Sequence, residues 1–574
     1  TRKESSAASD VYKRQDEDFD RTRVISGVIT SPATSAAPEA PAEGSLRRAS
    51  IVMAAGTMVS RILGFVRTYL LTVIAAGTSL TLDAFQAANT LPNVVFILLS
   101  AGVLNAILIP QITRAMKQPD GGQEFVDRLL TVSFASVLVV TTVATLASPW
   151  LLDLYFSSSG ATRHLTIFFG FICMPQIFFY GLYAILGQVL NARNQFAAFM
   201  WSPVLANVIQ IAGLVWFLVQ FGAHPDPATW TPEMVWVLAG TTTLGIIIQG
   251  LFLIIPLHRG GFRWRPRWGI RGYGLGAAAR ITVWTFTALV IAQFAGIIMK
   301  KMLSHVRLVH PEVSSSISAY DNAFLIFMLP QSFITTSILT ALFPRMSRAN
   351  ADGSNSAMKK LLRQGLEMPA LAIIPCSLAM VVLARPGVQT VFSLEPGQVG
   401  SLARAVAVMG VGLLPFGIAT LQQRYCFARE DGKLNLIMQA VTTGVQLIIL
   451  VTMFVFPPQH ALVVVAAAQT IANLVGAVAW LVVASRQLGG IGMGEVNRLW
   501  TKLAVASIVA AVPTYLVAHG IDAAGHGAWV GHAGGTLIGG VLFVALFLVL
   551  AKILRIVEVL DLLNPMLRKV MRRS

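Results

Sequence analysis

Apolar runs of helical length recur along this chain from Ile51 to Leu554, separated by short polar connections. A helix needs about 20 apolar residues to cross the ~30 Å hydrocarbon core of a bilayer. Membrane strands would instead alternate over segments of about ten residues. The pattern predicts an all-α polytopic membrane protein of about fourteen transmembrane helices. They are placed near 50–76, 82–112, 128–156, 164–190, 197–221, 232–257, 273–303, 315–344, 360–384, 402–426, 434–456, 460–485, 499–519 and 532–556. Pro92, Pro175, Pro203, Pro330, Pro369, Pro375 and Pro415 fall inside spans, where a missing N–H and a ring clash bend helices. Gly64, Pro92 and Pro330 are the expected hinge or kink positions.

Composition agrees, with 55% hydrophobic and only 12% charged residues. The net charge of +17 would suit a nucleic-acid partner, but its placement argues against one. Basic residues cluster between apolar runs, where they orient helices and meet anionic headgroups. Connections after even-numbered spans are basic: Arg114, Lys117 and Arg128; Arg193; Arg259 to Arg271; Arg345 to Arg363; Arg429 and Lys433; Arg486 and Arg498. Connections after odd-numbered spans are nearly bare, with Arg163, the Lys300–Arg307 segment and Arg385 as exceptions. The positive-inside rule then places both termini in the cytoplasm. Residues 1–47 read as a disordered cytoplasmic tail rich in Ser, Ala and Pro, and 558–574 as a basic one. No cleavable signal precedes the first span, which is expected to insert as its own signal. Cys173, Cys376 and Cys426 lie far apart and form neither a disulfide framework nor a metal site.

The two halves of the chain echo each other. Asp83 precedes Leu91–Pro92 as Asp321 precedes Leu329–Pro330, at an offset of 238 residues. Ala192–Arg193–Asn194 and Ala428–Arg429–Glu430 end spans four and ten at an offset of 236, and Gln210 and Gln446 repeat it in spans five and eleven. Six spans per copy is an even number, so both copies keep one orientation, related by a pseudo-twofold axis along the membrane normal. The expected organisation is an N-lobe at 48–258, a C-lobe at 259–490 and two additional helices at 491–557. Such two-lobed repeats hold substrate between the lobes and work by alternating access.

Arg61 lies about eleven residues into span one, ~16 Å along at ~1.5 Å per residue, and Arg67 follows ~9 Å further on. A mid-membrane arginine costs about 2.5–3.5 kcal/mol on insertion scales, so two on one helix need a reason. One reading is a water-filled cavity that binds an anion, since guanidinium donates bidentate hydrogen bonds to phosphate. The other is a buried ion pair with Asp83 or Asp321, and the two are compatible. Asn89, Asn93, Asn105, Gln188, Gln293 and Gln423 either line such a cavity or join helices by hydrogen bonds. There is no P-loop and no catalytic constellation, which points to a transporter and not an enzyme.

The run Ser60-Arg-Ile-Leu-Gly-Phe-Val-Arg67, followed by Leu82-Asp-Ala-Phe85 and Leu91-Pro-Asn93, is distinctive. With Leu190-Asn191, Phe196, Pro203, Asn207 and Ala341-Leu-Phe-Pro344, it resembles the MurJ/MviN family of lipid II flippases, within the MATE-like and polysaccharide exporters. The resemblance spans roughly 48–560. It implies a flippase that carries the lipid-linked peptidoglycan precursor from the cytoplasmic to the outer face of the bacterial inner membrane. It further implies a cationic cavity for the diphosphate and sugar, and a groove formed by the last two helices for the polyprenyl tail. Arg61 and Arg67 take the diphosphate-binding role, Asp83 that of the acid opening span two, and Asn93 and Asp321 join the substrate-binding set. Many members carry a basic residue shortly after Leu-Pro-Asn and further charges in span eight, where this chain is apolar. Asp321 is the acid left to substitute. No cofactor is expected, and coupling would be to the membrane potential or an ion. Expected partners are lipid II, the membrane, and proteins of cell-wall synthesis and division, with no nucleic acid.

Other functions stay open at this level. An exporter of another polyprenyl-diphosphate glycan would read the same diphosphate. A drug antiporter usually needs only twelve helices and an acidic or aromatic cavity. A scaffold recruiting cell-wall enzymes would want a larger soluble part.

Overall fold

The computed structural model describes residues 43–100, 123–193, 195–269, 276–311, 313–392, 394–525 and 528–559. Residues 1–51 are one unit, of which 43–51 are helical, and residues 52–574 are a second that holds everything considered below. The expected end of span two, with Arg114 and Lys117, and both terminal tails lie outside the described residues, apart from 43–47 and 558–559.

Among the described residues the secondary structure is helical throughout. A bilayer enforces this, because each backbone N–H and C=O must find its partner within the spanning segment. Among the described residues thirteen helices are long and apolar enough to cross a membrane, and a bent pair makes a fourteenth. We number them α1 (Ala55–Ile74), α2 (Leu80–Leu99), α3 (Val126–Leu146), α4 (Gly160–Asn191), α5 (Ala197–Gln220), α6 (Pro232–Arg259) and α7 (Val283–Val309). They continue as α8 (Ile317–Ala351), α9 (Asn355–Val382), α10 (Pro396–Val411 with Leu413–Ala428, bent by 51°), α11 (Gly432–Phe454), α12 (Pro458–Leu488), α13 (Met493–Ala524) and α14 (Trp529–Ile553).

The internal repeat is visible in the packing. α2 packs on α4 and α5 on α6 in the first lobe, as α8 packs on α10 and α11 on α12 in the second. Even the helix starts correspond: the Ser79 hydroxyl accepts from the Leu82 N–H and opens α2, and Ser316 accepts from Ala319 and opens α8. α13 and α14 form a hairpin against α9 and the short helix Ala384–Val391. The hairpin closes on small residues: a methyl group on Gly535 would meet the Ala518 carbonyl oxygen at 2.6 Å. Without a hydrophobic drive between helices in lipid, such close backbone approach is what holds them. Large apolar side chains such as Ile448, Val455, Leu537 and Val541 stay exposed, as the lipid-facing surface of a membrane protein requires.

The expected bends divide. α8 passes through a π-helical turn at Gln331–Thr335 directly after Pro330, so that proline does break the regular ladder. α4 breaks between Cys173 and Gln176, around Pro175. At Gly64 and Pro92 the helices run on without interruption. The π-helical turn Trp236–Gly240 in α6 contains no proline and had no signal in the sequence.

Another correction concerns Lys300 to Arg307, counted above among the connections although the expected span seven, 273–303, already reaches past Lys300. The segment is the last part of α7, whose apolar period continues through Leu303, Val306 and Val309 before Pro311. Lys300 is 8% exposed, which turns an exception to the charge rule into an intramembrane cation.

Candidate substrate cavity

The lobes meet at the end of the molecule where α1 finishes and α2 begins; we refer to it as the sealed face. The Thr78 N–H donates to the Gln398 side chain at 3.1 Å, and Arg307 donates to the Thr78 carbonyl at 2.9 Å. The Ser157 N–H donates to the Ser304 hydroxyl at 2.9 Å, and Lys301 donates to the Asp153 carbonyl. Asp83, 1% exposed, accepts from the Ser318 N–H at 2.8 Å, so an acid of one lobe caps the first turn of α8 in the other. A bonded pair with one charged partner contributes about 1.5–3 kcal/mol. Asp83→Ala should therefore loosen this seal about tenfold or more. The check is a Thr90→Cys reporter labelled by a water-soluble thiol reagent from the sealed side: labelling should accelerate, and an unchanged rate would mean the seal does not depend on Asp83.

Behind the seal lie two adjoining cavities that share Thr90, Asp321 and Leu325. The smaller, about 190 Å³, is lined by Arg67, Gln86, Asn89, Gln210 and Asn322 among others. The larger, about 550 Å³, is lined by Asn93, Tyr155, Gln293, Lys300 and Tyr320 among others. Arg67 donates from Nη1 to Gln210 at 2.9 Å, while its Nε has no hydrogen-bond partner among the described residues. Asn322 is 1% exposed, and neither end of its amide is satisfied; the Gln86 carbonyl oxygen is in the same condition. Unpaired buried polar groups are costly, so a cavity carrying several of them is suited to a polar occupant.

Lys300 reaches Asp321 with contacts of 2.8 and 2.9 Å to its two carboxylate oxygens, and its Nζ stands 5.6 Å from the Tyr155 ring centroid. This answers the question of how the buried acids are paired. Neither Arg61 nor Arg67 bonds to Asp83 or Asp321; Lys300, which sequence reasoning missed, takes Asp321. The unbroken apolar period around it (Ile297, Ile298, Met302, Leu303) was the signal that it lies within a span. Arg61 stacks over Phe333 of α8 at 5.5 Å from the ring centroid. Six residues are about one and two-thirds helical turns, so Arg61 and Arg67 leave α1 on different sides and share no partner. Asn93 and Asp321 line the larger cavity. Asp83 sits in the lobe contact instead.

A third cavity, about 450 Å³ and almost wholly apolar, runs from Phe65 of α1 past Leu329 and Phe333 to Leu383, Gly387 and Thr536 of α14.

Two helical lobes around a cation-bearing cavity, closed at one face, define a transporter of the two-lobed alternating-access class. The sequence model of the family described as "Lipid II flippase MurJ" matches residues 73–528, and the chain belongs to that family. Arg61 and Arg67 precede the matched region. Among relatives, the probable lipid II flippase MurJ of Rhizobium meliloti (strain 1021) is 25% identical over 435 residues, covering 73% of this chain and 77% of that protein. That of Vibrio cholerae serotype O1 is 24% identical over 404 residues, covering 68% and 74%. Among solved structures, a lipid II flippase MurJ in an inward closed conformation superposes with a TM-score of 0.67 at 18% identity, over 88% of this chain and 98% of that one. A multidrug resistance MATE family transporter in an inward-facing conformation gives 0.60 at 17% identity, over 77% and 98%. At such identities the structural likeness concerns the fold.

Proposed function

We propose that this chain is a lipid II flippase of the bacterial inner membrane, with both termini in the cytoplasm and the sealed face outward. The observation that carries this reading is a cavity between the lobes with Arg67 and Lys300 set against the single acid Asp321, in a chain of the MurJ family. The diphosphate enters from the cytoplasmic side and takes Arg67, with Arg61 guarding the approach beside Phe333. Unpaired amides of Asn322 and Gln86 meet sugar hydroxyls. The polyprenyl tail stays in lipid along the apolar cavity between α1, α8 and α14. When the seal at Asp83 and Thr78 opens and the lobes rock, the headgroup faces outward. Moving a charged carrier through the membrane couples the cycle to the membrane potential or to an ion, with the Lys300–Asp321 pair as the internal charge that rearranges.

The test is rescue of growth and of lipid II translocation in cells depleted of their own flippase. The parent chain should restore both. Failure of a well-inserted parent would move the assignment to another polyprenyl-diphosphate glycan, which the same arginine would read. A Gly387→Trp variant narrows the apolar cavity and leaves the charged one intact. It should slow translocation of the full-length lipid and leave a short-tailed analogue unaffected; equal effects on both would remove the tail from that cavity.

A further inference from the structure

A second polar cavity lies in the C-lobe on the sealed face, away from Arg61, Arg67 and Lys300. It encloses about 430 Å³ between α10, the loop joining α7 to α8 and the loop joining α11 to α12. Gly397, Ser401 and Arg404 line it from α10. Their spacing of four and three residues places them on one face of that helix. Ser314 and Gln459 line it from the two loops.

Several observations converge on an anion. The first turn of α10 opens here with Pro396 at its first position, and the side chain of its N-cap residue Glu395 makes no cap bond, so no side chain caps the N–H groups at the positive end of the helix dipole. A methyl group on Gly397 would meet nothing within 4 Å, so this turn borders open space. Ser401 is 5% exposed and its hydroxyl has no hydrogen-bond partner among the described residues. One turn further on, Arg404 is exposed and makes no ion pair among the described residues. Among the described residues no acid lines the cavity.

We propose that this cavity is a binding site for a phosphate-type oxyanion, held by Arg404, the Ser401 hydroxyl and the first-turn N–H groups of α10. Several donors around a cavity of this size suit a group with many oxygens better than a halide. The site adjoins the seal, since Gln398, the residue after Gly397, is the one that reaches Thr78 of the other lobe. Opening the seal would move Gln398 and with it the edge of the site. Its role as a landing point for the exported diphosphate rests on the function proposed above; its binding of an oxyanion does not.

The test uses the full chain in nanodiscs, titrated with inorganic pyrophosphate by calorimetry. The background variant Arg61→Ala/Arg67→Ala removes the central arginines. Binding should persist in that background and weaken at least tenfold on adding Arg404→Gln. Gly397→Leu, which fills the open space and keeps every charge, should weaken it likewise and covers the case in which Arg404→Gln folds poorly. Loss of binding in the arginine background, or undiminished binding in both Arg404→Gln and Gly397→Leu, would overturn the proposal. Translocation then separates the sources. If the exported lipid uses the site, external pyrophosphate slows flipping by the parent and not by Arg404→Gln. If free phosphate uses it, Arg404→Gln loses pyrophosphate binding while flipping continues unchanged.

Discussion

Arg67→Ala is expected to reduce lipid II translocation about ten- to a hundredfold without unfolding the protein. The magnitude follows from charge-assisted hydrogen bonds of about 1.5–3 kcal/mol, with 1.4 kcal/mol per factor of ten. Stability should change little, because among the described residues Arg67 bonds to Gln210 and leaves Nε unpaired. Lysine at this position should recover only part of the rate, since an ammonium cannot grip a phosphate with a planar fork. Arg61→Ala should do less than Arg67→Ala, because Arg61 leaves α1 on another side and stacks on Phe333. Reconstituted vesicles with fluorescent lipid II measure both variants; full activity of Arg67→Ala would remove the diphosphate from the smaller cavity.

The second large effect is expected at Lys300. Replacing it by Met leaves Asp321 as an unpaired acid in the cavity wall. Removing one partner of a buried pair costs about 3–5 kcal/mol, and somewhat less here because the Asp321 side chain is 28% exposed. Asp321→Asn alone strands a lysine whose side chain is 10% exposed, at a similar cost. The double change Lys300→Met/Asp321→Leu should recover most of the lost stability, because apolar replacements of a buried ion pair are often neutral or better. Translocation should stay low in all three. Thermal unfolding in detergent followed by the vesicle assay separates these outcomes. Recovery of both stability and transport in the double variant would make the pair a structural tie with no part in the cycle.

These two residues also show how far the sequence could be read. Arg67 was legible because its cost is local: a charge eleven to seventeen residues into an apolar run demands an explanation wherever the helix goes. Lys300 follows the same rule, but it falls within three residues of the expected end of span seven at 303, and a charge at a helix end looks like loop. Asp83 and Asp321 are repeat mates in the sequence and part company in the structure. One caps the neighbouring lobe through the Ser318 N–H, and the other faces the cavity and Lys300. A symmetric sequence relation does not specify which lobe surface each copy meets. Gly64 and Pro92 teach a similar lesson, since a residue that permits bending bends a helix only when neighbouring packing asks for it. Pro330 does so, with Gln331 of the following π-turn donating to the Leu413 carbonyl in α10.

The number of spans, the two-copy architecture, the basic connections and the presence of cations in the membrane were set by the sequence alone. Each depends on periodicity, composition or order along the chain, and a bilayer leaves helices as the only answer to a long apolar run. Pairing was decided by the folded arrangement: Lys300 with Asp321, Asp83 with α8, and Arg67 with Gln210. Those partners lie between 21 and 235 residues apart, and contacts across helices depend on rotation about each helix axis. A shift of one residue turns a side chain by about 100° on a helix of 3.6 residues per turn, and only packing against the neighbours selects the rotation.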